Sequence, residues 1–198
     1  MAARIIGIGQ ATAGDDGVGI AVARRLREIN LPDGIDVIEI AEPSALIDSA
    51  LFGADPIILI DAIVGGGEPG RIVQFDAADA LAPGGSLKEL SSEPSPARHG
   101  ACQKSARAAP RTLSRNQAGE GFPQPLAGGT LLTTHGVGVL EAVKLARELS
   151  PEMVARRVHI VGVTIERPKR YGEGLSPEVV AAVEPAAEAA LRLARLSL

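Results

Sequence analysis

Short runs of consecutive apolar residues alternate along this chain with stretches in which apolar residues return every three or four positions. "RIIGIG" at 4–9 and "PIILIDAI" at 56–63 are apolar at successive positions, the pattern of strands covered on both faces of a parallel sheet. "IDVIEI" at 35–40, "RIVQFDA" at 71–77 and "RRVHIVGVTI" at 156–165 read as further strands. Val18, Val22, Leu26 and Ile29 share helical spacing over 17–29. "PSALIDSALFG" at 43–53 reads as a helix opened by Pro and Ser and closed by Gly. A helix over 136–149 follows a short strand end at 130–134, with Val139, Val143 and either Leu145 or Ala146 on its buried side. A closing helix over 176–196 has Ser176 as N-cap and Pro177 at its first position, with a kink expected at Pro185. Strands and helices in alternation predict a three-layer α/β fold, a mostly parallel sheet with helices on both faces.

Residues 83–129 break the pattern. They are rich in Pro, Gly, Ser, Ala and Arg, with almost no periodic apolar positions, and too little apolar surface to offset the entropy of ordering them. The expectation is one domain over 1–198 that contains a disordered insertion at 83–129.

Composition narrows the partners. The net charge is −4 and aromatic residues make up 2% of the chain, so a basic groove or a base-stacking platform for nucleic acid is not expected. The one cysteine, Cys102, has no internal disulfide partner, which suits a reducing compartment. The first apolar run is too short for a signal peptide or a membrane span, so the expectation is a soluble cytoplasmic protein without membrane partner.

In an open α/β sheet, sites gather at the carboxyl ends of the strands. Three places meet that rule here: the turn "GQATAGDDGVG" after the first strand, with Asp15 and Asp16; the end of the strand at 56–61, with Asp61; and the segment before the 136–149 helix, with His135. The turn is not a dinucleotide fingerprint, because Thr12 stands where the third glycine is needed. Nor is it a phosphate loop. Gly9 and Gly14 have the required separation, but Asp15 and Asp16 follow where Lys and Ser or Thr should. A phosphate at about 4–5 Å from a carboxylate would be repelled by up to a few kcal/mol at an effective dielectric near 20. A cation suits this turn better, which disfavours a nucleotide-binding role.

Asp15 and Asp16 also have an ordinary use at a helix start, as caps or partners of the helix dipole. Asp61 is harder to explain that way, since a carboxylate inside "IILIDAIVG" needs a partner or a metal. Two carboxylates and one imidazole make a three-ligand set for a divalent transition metal with positions left open. His99 and Cys102 fall in the insertion and His159 opens a strand, so none of them is a strong candidate. No HExxH or GxSxG pattern is present.

"GIGQATAGDDGVG", "LIDAI", "GEPGRI", "TTHGVGV" and "VGVTIERP…LSPEV", in that order, resemble the hydrogenase maturation endopeptidases over residues 4–81 and 130–190. The resemblance implies a twisted sheet of about five strands between helices. It implies an aspartyl endopeptidase that removes the C-terminal extension of a nickel–iron hydrogenase large-subunit precursor. Asp16, Asp61 and His135 would be both the metal-binding and the catalytic residues. The metal is nickel carried by the substrate, with no organic cofactor. Gln10 and Thr12 depart from the Asn and the apolar residue usual in that family. The insertion is not typical of it, and its excess of basic over acidic residues suggests an acidic partner surface. The competing reading is a non-catalytic metal-sensing or chaperone module that binds a metalloprotein precursor without cutting it.

Overall fold

The computed structural model describes residues 2–47, 50–65, 67–82, 132–133, 138–166, 172 and 174–196. The expected insertion at 83–129, with His99 and Cys102, and the His135 segment lie outside the described residues.

Strands β1 (Ala3–Ile8), β2 (Ile35–Ile40), β3 (Ile57–Val64), β4 (Ile72–Asp76) and β6 (Val158–Ile165) form one sheet in the order β2-β1-β3-β6-β4. β5 (Leu132–Thr133) pairs with β3 beside that path. β1, β2, β3 and β6 are mutually parallel, while β4 runs antiparallel to β6 and β5 antiparallel to β3. The expected α/β sheet of about five mostly parallel strands is therefore present, and the two antiparallel additions lie on its β4 and β5 sides.

Helix α1 (Val18–Glu28) and the 19-residue α4 (Pro177–Arg195) cover one face, packing on Ile5, Ile58, Ile60 and Val161. α3 (Val139–Leu149) covers the other with Ile6, Leu59, Ile63 and Ile160. Alternation along β3 sends neighbouring residues to opposite faces, which is why this strand is apolar at every position but one. On α3 it is Ala146 that is buried, whereas Leu145 is exposed. That settles the alternative left by the spacing.

Local signals also failed in places. Among the described residues of the expected helix at 43–53, a single 3₁₀ turn, Pro43–Leu46, is helical; Leu46, Ala50, Leu51 and Ala54 still reach the α3-side core. Their apolar spacing served burial of an irregular segment rather than a helix. The five-residue α2 (Ala77–Leu81) was not expected; Asp76 caps it by accepting the Ala78 N–H at 2.8 Å. α4 runs on as one helix through Pro185. Ser176 is its N-cap residue, yet the hydroxyl makes no capping bond.

Candidate functional site

The chain leaves the carboxyl end of β1 with Gly9, whose N–H still bonds the Ile40 carbonyl of β2 at 3.2 Å. It then turns through Gln10–Ala13 into the 3₁₀ turn Gly14–Gly17, which runs directly into α1. The turn is closely packed. Gly9 has φ +139°, and a Cβ there would lie 2.1 Å from the Asp16 carbonyl oxygen. A Cβ on Gly19 would lie 2.2 Å from the Ile8 carbonyl oxygen and 2.4 Å from that of Ile60. Glycine at these places lets the start of α1 rest on the ends of β1 and β3 at once. The glycines serve close backbone approach, not a phosphate.

That approach sets where the two acids lie. Asp16 is 5% exposed, and its Oδ2 accepts the Gln10 N–H at 3.1 Å. The donor is backbone, so glutamine at position 10 supplies it as well as asparagine would. Asp61 is 1% exposed, and its Oδ1 accepts the Ala62 N–H at 2.9 Å. It pairs in register with Gly162 of β6 and follows Ile60, the residue whose carbonyl α1 crowds. The turn carrying Asp16 packs on β3. Asp61 does not end its strand as expected, since β3 runs on to Val64, but it lies one step past the last β1–β3 pair, Gly7 with Ile60, so both buried carboxylates lie on the carboxyl-end side of the sheet where β1 stops. Apart from Thr164 they are the buried polar or charged residues among those described.

Carboxylates hidden from water in this way are expensive unless they meet hydrogen bonds or a cation. Each has a backbone N–H on one oxygen. Such a pair has the chemistry to bind a divalent cation, or to hold and move a proton.

Among the described residues no three His, Cys, Asp or Glu side chains form a group that could hold a metal ion. The third member of the expected set, His135, lies outside them. β5 ends close by: Thr133 pairs with Ile63. His159 pairs with Ile58 toward the other end of β3, and its Nδ1 is 3.4 Å from Asp76 Oδ2. It is not part of the edge that carries the acids.

Asp15 behaves unlike its neighbour. Its Oδ1 accepts the Ser176 N–H, from the start of α4, at 2.6 Å. Beside it Gly14 N–H bonds the Gly172 carbonyl at 2.7 Å. No local spacing could have revealed these contacts, because the partners are separated by most of the chain.

No family model matches this chain. Protein FrxA of Pyrococcus furiosus is 27% identical over 182 residues, which cover 92% of this chain and 97% of FrxA. A Methanocaldococcus jannaschii protein, provisionally named a hydrogenase maturation protease, is 39% identical over 74 residues; the match covers 36% of this chain and 48% of that protein. The nickel–iron hydrogenase maturation protease HybD of Thermococcus kodakarensis superposes with a TM-score of 0.60 at 22% identity, covering 98% of this chain and 99% of its own. The chain has the fold of the hydrogenase maturation proteases, and the ordered motifs in its sequence resemble the same family. Among the described residues no helix is long and apolar enough to cross a membrane.

Proposed function

We propose that this chain is an endopeptidase that acts on a nickel–iron hydrogenase large-subunit precursor in the cytoplasm, removing its C-terminal extension once nickel has been inserted. The observation that carries the reading is the pair of buried acids, Asp16 and Asp61, brought to one sheet edge in the fold of the hydrogenase maturation proteases. Asp16, Asp61 and His135 are the residues that meet the nickel of the substrate. Thr133, two residues before His135, pairs with Ile63, two residues after Asp61. So short a tether supports counting the histidine with the two acids. Oxygen and imidazole donors suit a divalent first-row metal.

The chemistry follows from recognition. Docking on the substrate's own metal brings the scissile peptide to a fixed place beside two carboxylates, which lowers the entropic part of the barrier. Water adds to the scissile carbonyl, the C–N bond breaks, and the proton taken from the water ends on the departing amine. A carboxylate held at the site can carry that proton. Because the metal arrives with the substrate, the protein purified alone carries no stoichiometric nickel.

The test is incubation with nickel-loaded and nickel-free precursor, followed by mass spectrometry of the precursor's C-terminus. A mass loss confined to the nickel-loaded form supports the reading. Equal cutting of both forms overturns nickel as the signal, and binding without cutting favours a chaperone role. Asp16→Asn and His135→Ala are expected to abolish cleavage while leaving the circular dichroism spectrum unchanged.

A further inference from the structure

Asp15 and Asp16 are adjacent, yet they are engaged in opposite directions. Asp16 receives the Gln10 N–H of its own turn, whereas Asp15 reaches Ser176, 161 residues away. The Asp15 contact has the short distance of a charge-assisted hydrogen bond, 2.6 Å. It also sets a carboxylate at the N-terminus of the 19-residue α4, where the helix dipole favours it. Ser176 is the N-cap residue, but its own hydroxyl makes no capping bond, and Oγ is buried without a hydrogen-bond partner among the described residues. The Asp15 carboxylate is thus the group that meets the start of this helix. The bond is reinforced one residue earlier, where Gly14 N–H bonds the Gly172 carbonyl at 2.7 Å, and again where Ala13 forms a parallel bridge with Gly172.

We propose that Asp15 is a positioning residue: its carboxylate latches the acidic turn onto the start of α4 and so holds Asp16 in the direction the site requires. What the site needs from Asp15 is a hydrogen-bond acceptor at this distance, not a second negative charge. The claim about reaction rate rests on the endopeptidase reading; the claim about the turn does not.

Three variants separate acceptor from charge. Asp15→Asn keeps an oxygen acceptor and removes the charge. Asp15→Ala removes both. Ser176→Pro removes the donor instead; Ser176 has φ −63° and ψ 156°, which suit a proline placed before Pro177. Two readouts apply to each: processing of nickel-loaded precursor, and hydrogen exchange of the Gln10 amide, whose acceptor is Asp16. Misplacing a reacting group by about 1 Å costs on the order of 100-fold in rate. Asp15→Ala and Ser176→Pro are therefore expected to slow processing by about that factor and to speed Gln10 exchange. Asp15→Asn should stay within a few-fold of wild type in both. The Asp15→Ala/Ser176→Pro double variant should be no worse than either single change, because the same bond is lost.

Asp15→Asn as impaired in processing as Asp15→Ala, with Gln10 exchange unchanged, would place Asp15 in the chemistry and overturn the proposal. Unchanged Gln10 exchange in Asp15→Ala overturns it as well. If the wild-type protein cuts no precursor, the endopeptidase reading fails and Gln10 exchange still decides the role of Asp15. Should Ser176→Pro fail to fold, the contrast between Asp15→Ala and Asp15→Asn decides.

Discussion

Two glycine-rich turns leave neighbouring strands at the same edge of the sheet, and they are built on different terms. The turn after β1 is closed on itself. Cβ atoms at Gly9 and Gly19 would strike backbone oxygens at 2.1 and 2.2 Å, and its two acids are bound to backbone N–H groups. The turn after β3 is open at its start. A Cβ on Gly65 would meet nothing within 4 Å, and one on Gly67 would meet first the flexible end of the Arg71 side chain at 3.4 Å. It is tied down at its far end, where Thr164 Oγ1 accepts the Arg71 N–H at 2.9 Å and a Cβ on Gly70 would lie 2.4 Å from the Glu178 carbonyl oxygen. At Gly9 and Gly19 glycine provides space; at Gly65 it provides only a positive φ, +91°. Where space is the constraint, acids are held rigidly and function is expected. Where only the dihedral is, the turn is a connection.

The comparison breaks most readily at Gly19. In Gly19→Ala the new methyl group meets two backbone oxygens on two strands, and neither can withdraw without moving its strand. Overpacking of this kind is expected to destabilise the protein by about 3 kcal/mol or more. Urea unfolding measures it. A loss under about 1 kcal/mol would mean that α1 does not rest on β1 and β3 as closely as described.

Next in size is a loss of activity without a loss of stability. Asp61→Asn keeps an oxygen to accept the Ala62 N–H and removes a charge buried at 1% exposure. A neutral amide is cheaper to bury than a carboxylate. Thermal unfolding is therefore expected to stay level or rise, while processing of nickel-loaded precursor falls by about 100-fold or more. A large fall in stability instead would show that the acid holds the fold together rather than the substrate.

Where these acids sit was largely legible in the sequence. The continuous apolar run of β3 predicts a central strand, and a carboxylate within it is conspicuous because nothing else there is polar. The order of turn and strand places Asp16 and Asp61 on the carboxyl-end side of the sheet by topology alone, whereas His135 lies outside the described residues. The division of labour between Asp15 and Asp16 was not legible, because adjacent residues of one type differ only through what each meets in the fold. Asp15 meets Ser176, and no periodicity carries that information. The same limit explains the segment at 43–53. Its apolar residues are spaced as on a helix, yet burial in the α3-side core decides their conformation, and among the described residues of this segment only Pro43–Leu46 is helical, as a 3₁₀ turn.

A smaller effect sharpens the contrast from the open side. Gly65→Ala places a Cβ where there is room but at φ +91°, so the cost is conformational alone. About 1–2 kcal/mol of left-handed strain, partly offset by a less flexible unfolded chain, leaves a net loss of about 1 kcal/mol. For a chain of this size that lowers the unfolding midpoint by roughly 2–4 °C. Processing should be unchanged, since Gly65 touches neither acid. A Gly65→Ala variant as damaged as Gly19→Ala would erase the distinction between the two turns.

The smallest effect concerns what else joins α1 to α4. Arg25 on α1 bonds Glu184 on α4 in a two-point pair, Nε to Oε2 at 2.5 Å and Nη2 to Oε1 at 3.3 Å. The hydrogen bond from Arg25 is the main cause holding the Glu184 carboxyl below its usual pKa, and the same pair raises that of Arg25. A carboxyl whose pKa is lowered by folding adds stability that is present above its unfolded pKa and is lost as the pH falls through the folded value. Glu184→Gln should therefore lower stability slightly at and above neutral pH, where the pair is intact, flatten the acid limb of a stability-against-pH curve by the same small amount, and leave stability at the lowest pH unchanged. Both side chains are substantially exposed, so solvent screening keeps the effect close to the limit of detection. The useful outcome is functional. If the acidic turn is held by the Asp15–Ser176 bond at the near end of these helices, Glu184→Gln leaves Gln10 exchange and processing as in wild type. A variant that speeds Gln10 exchange as Asp15→Ala is expected to do would show that the turn is held by the packing of α1 on α4 as a whole, and not by the latch.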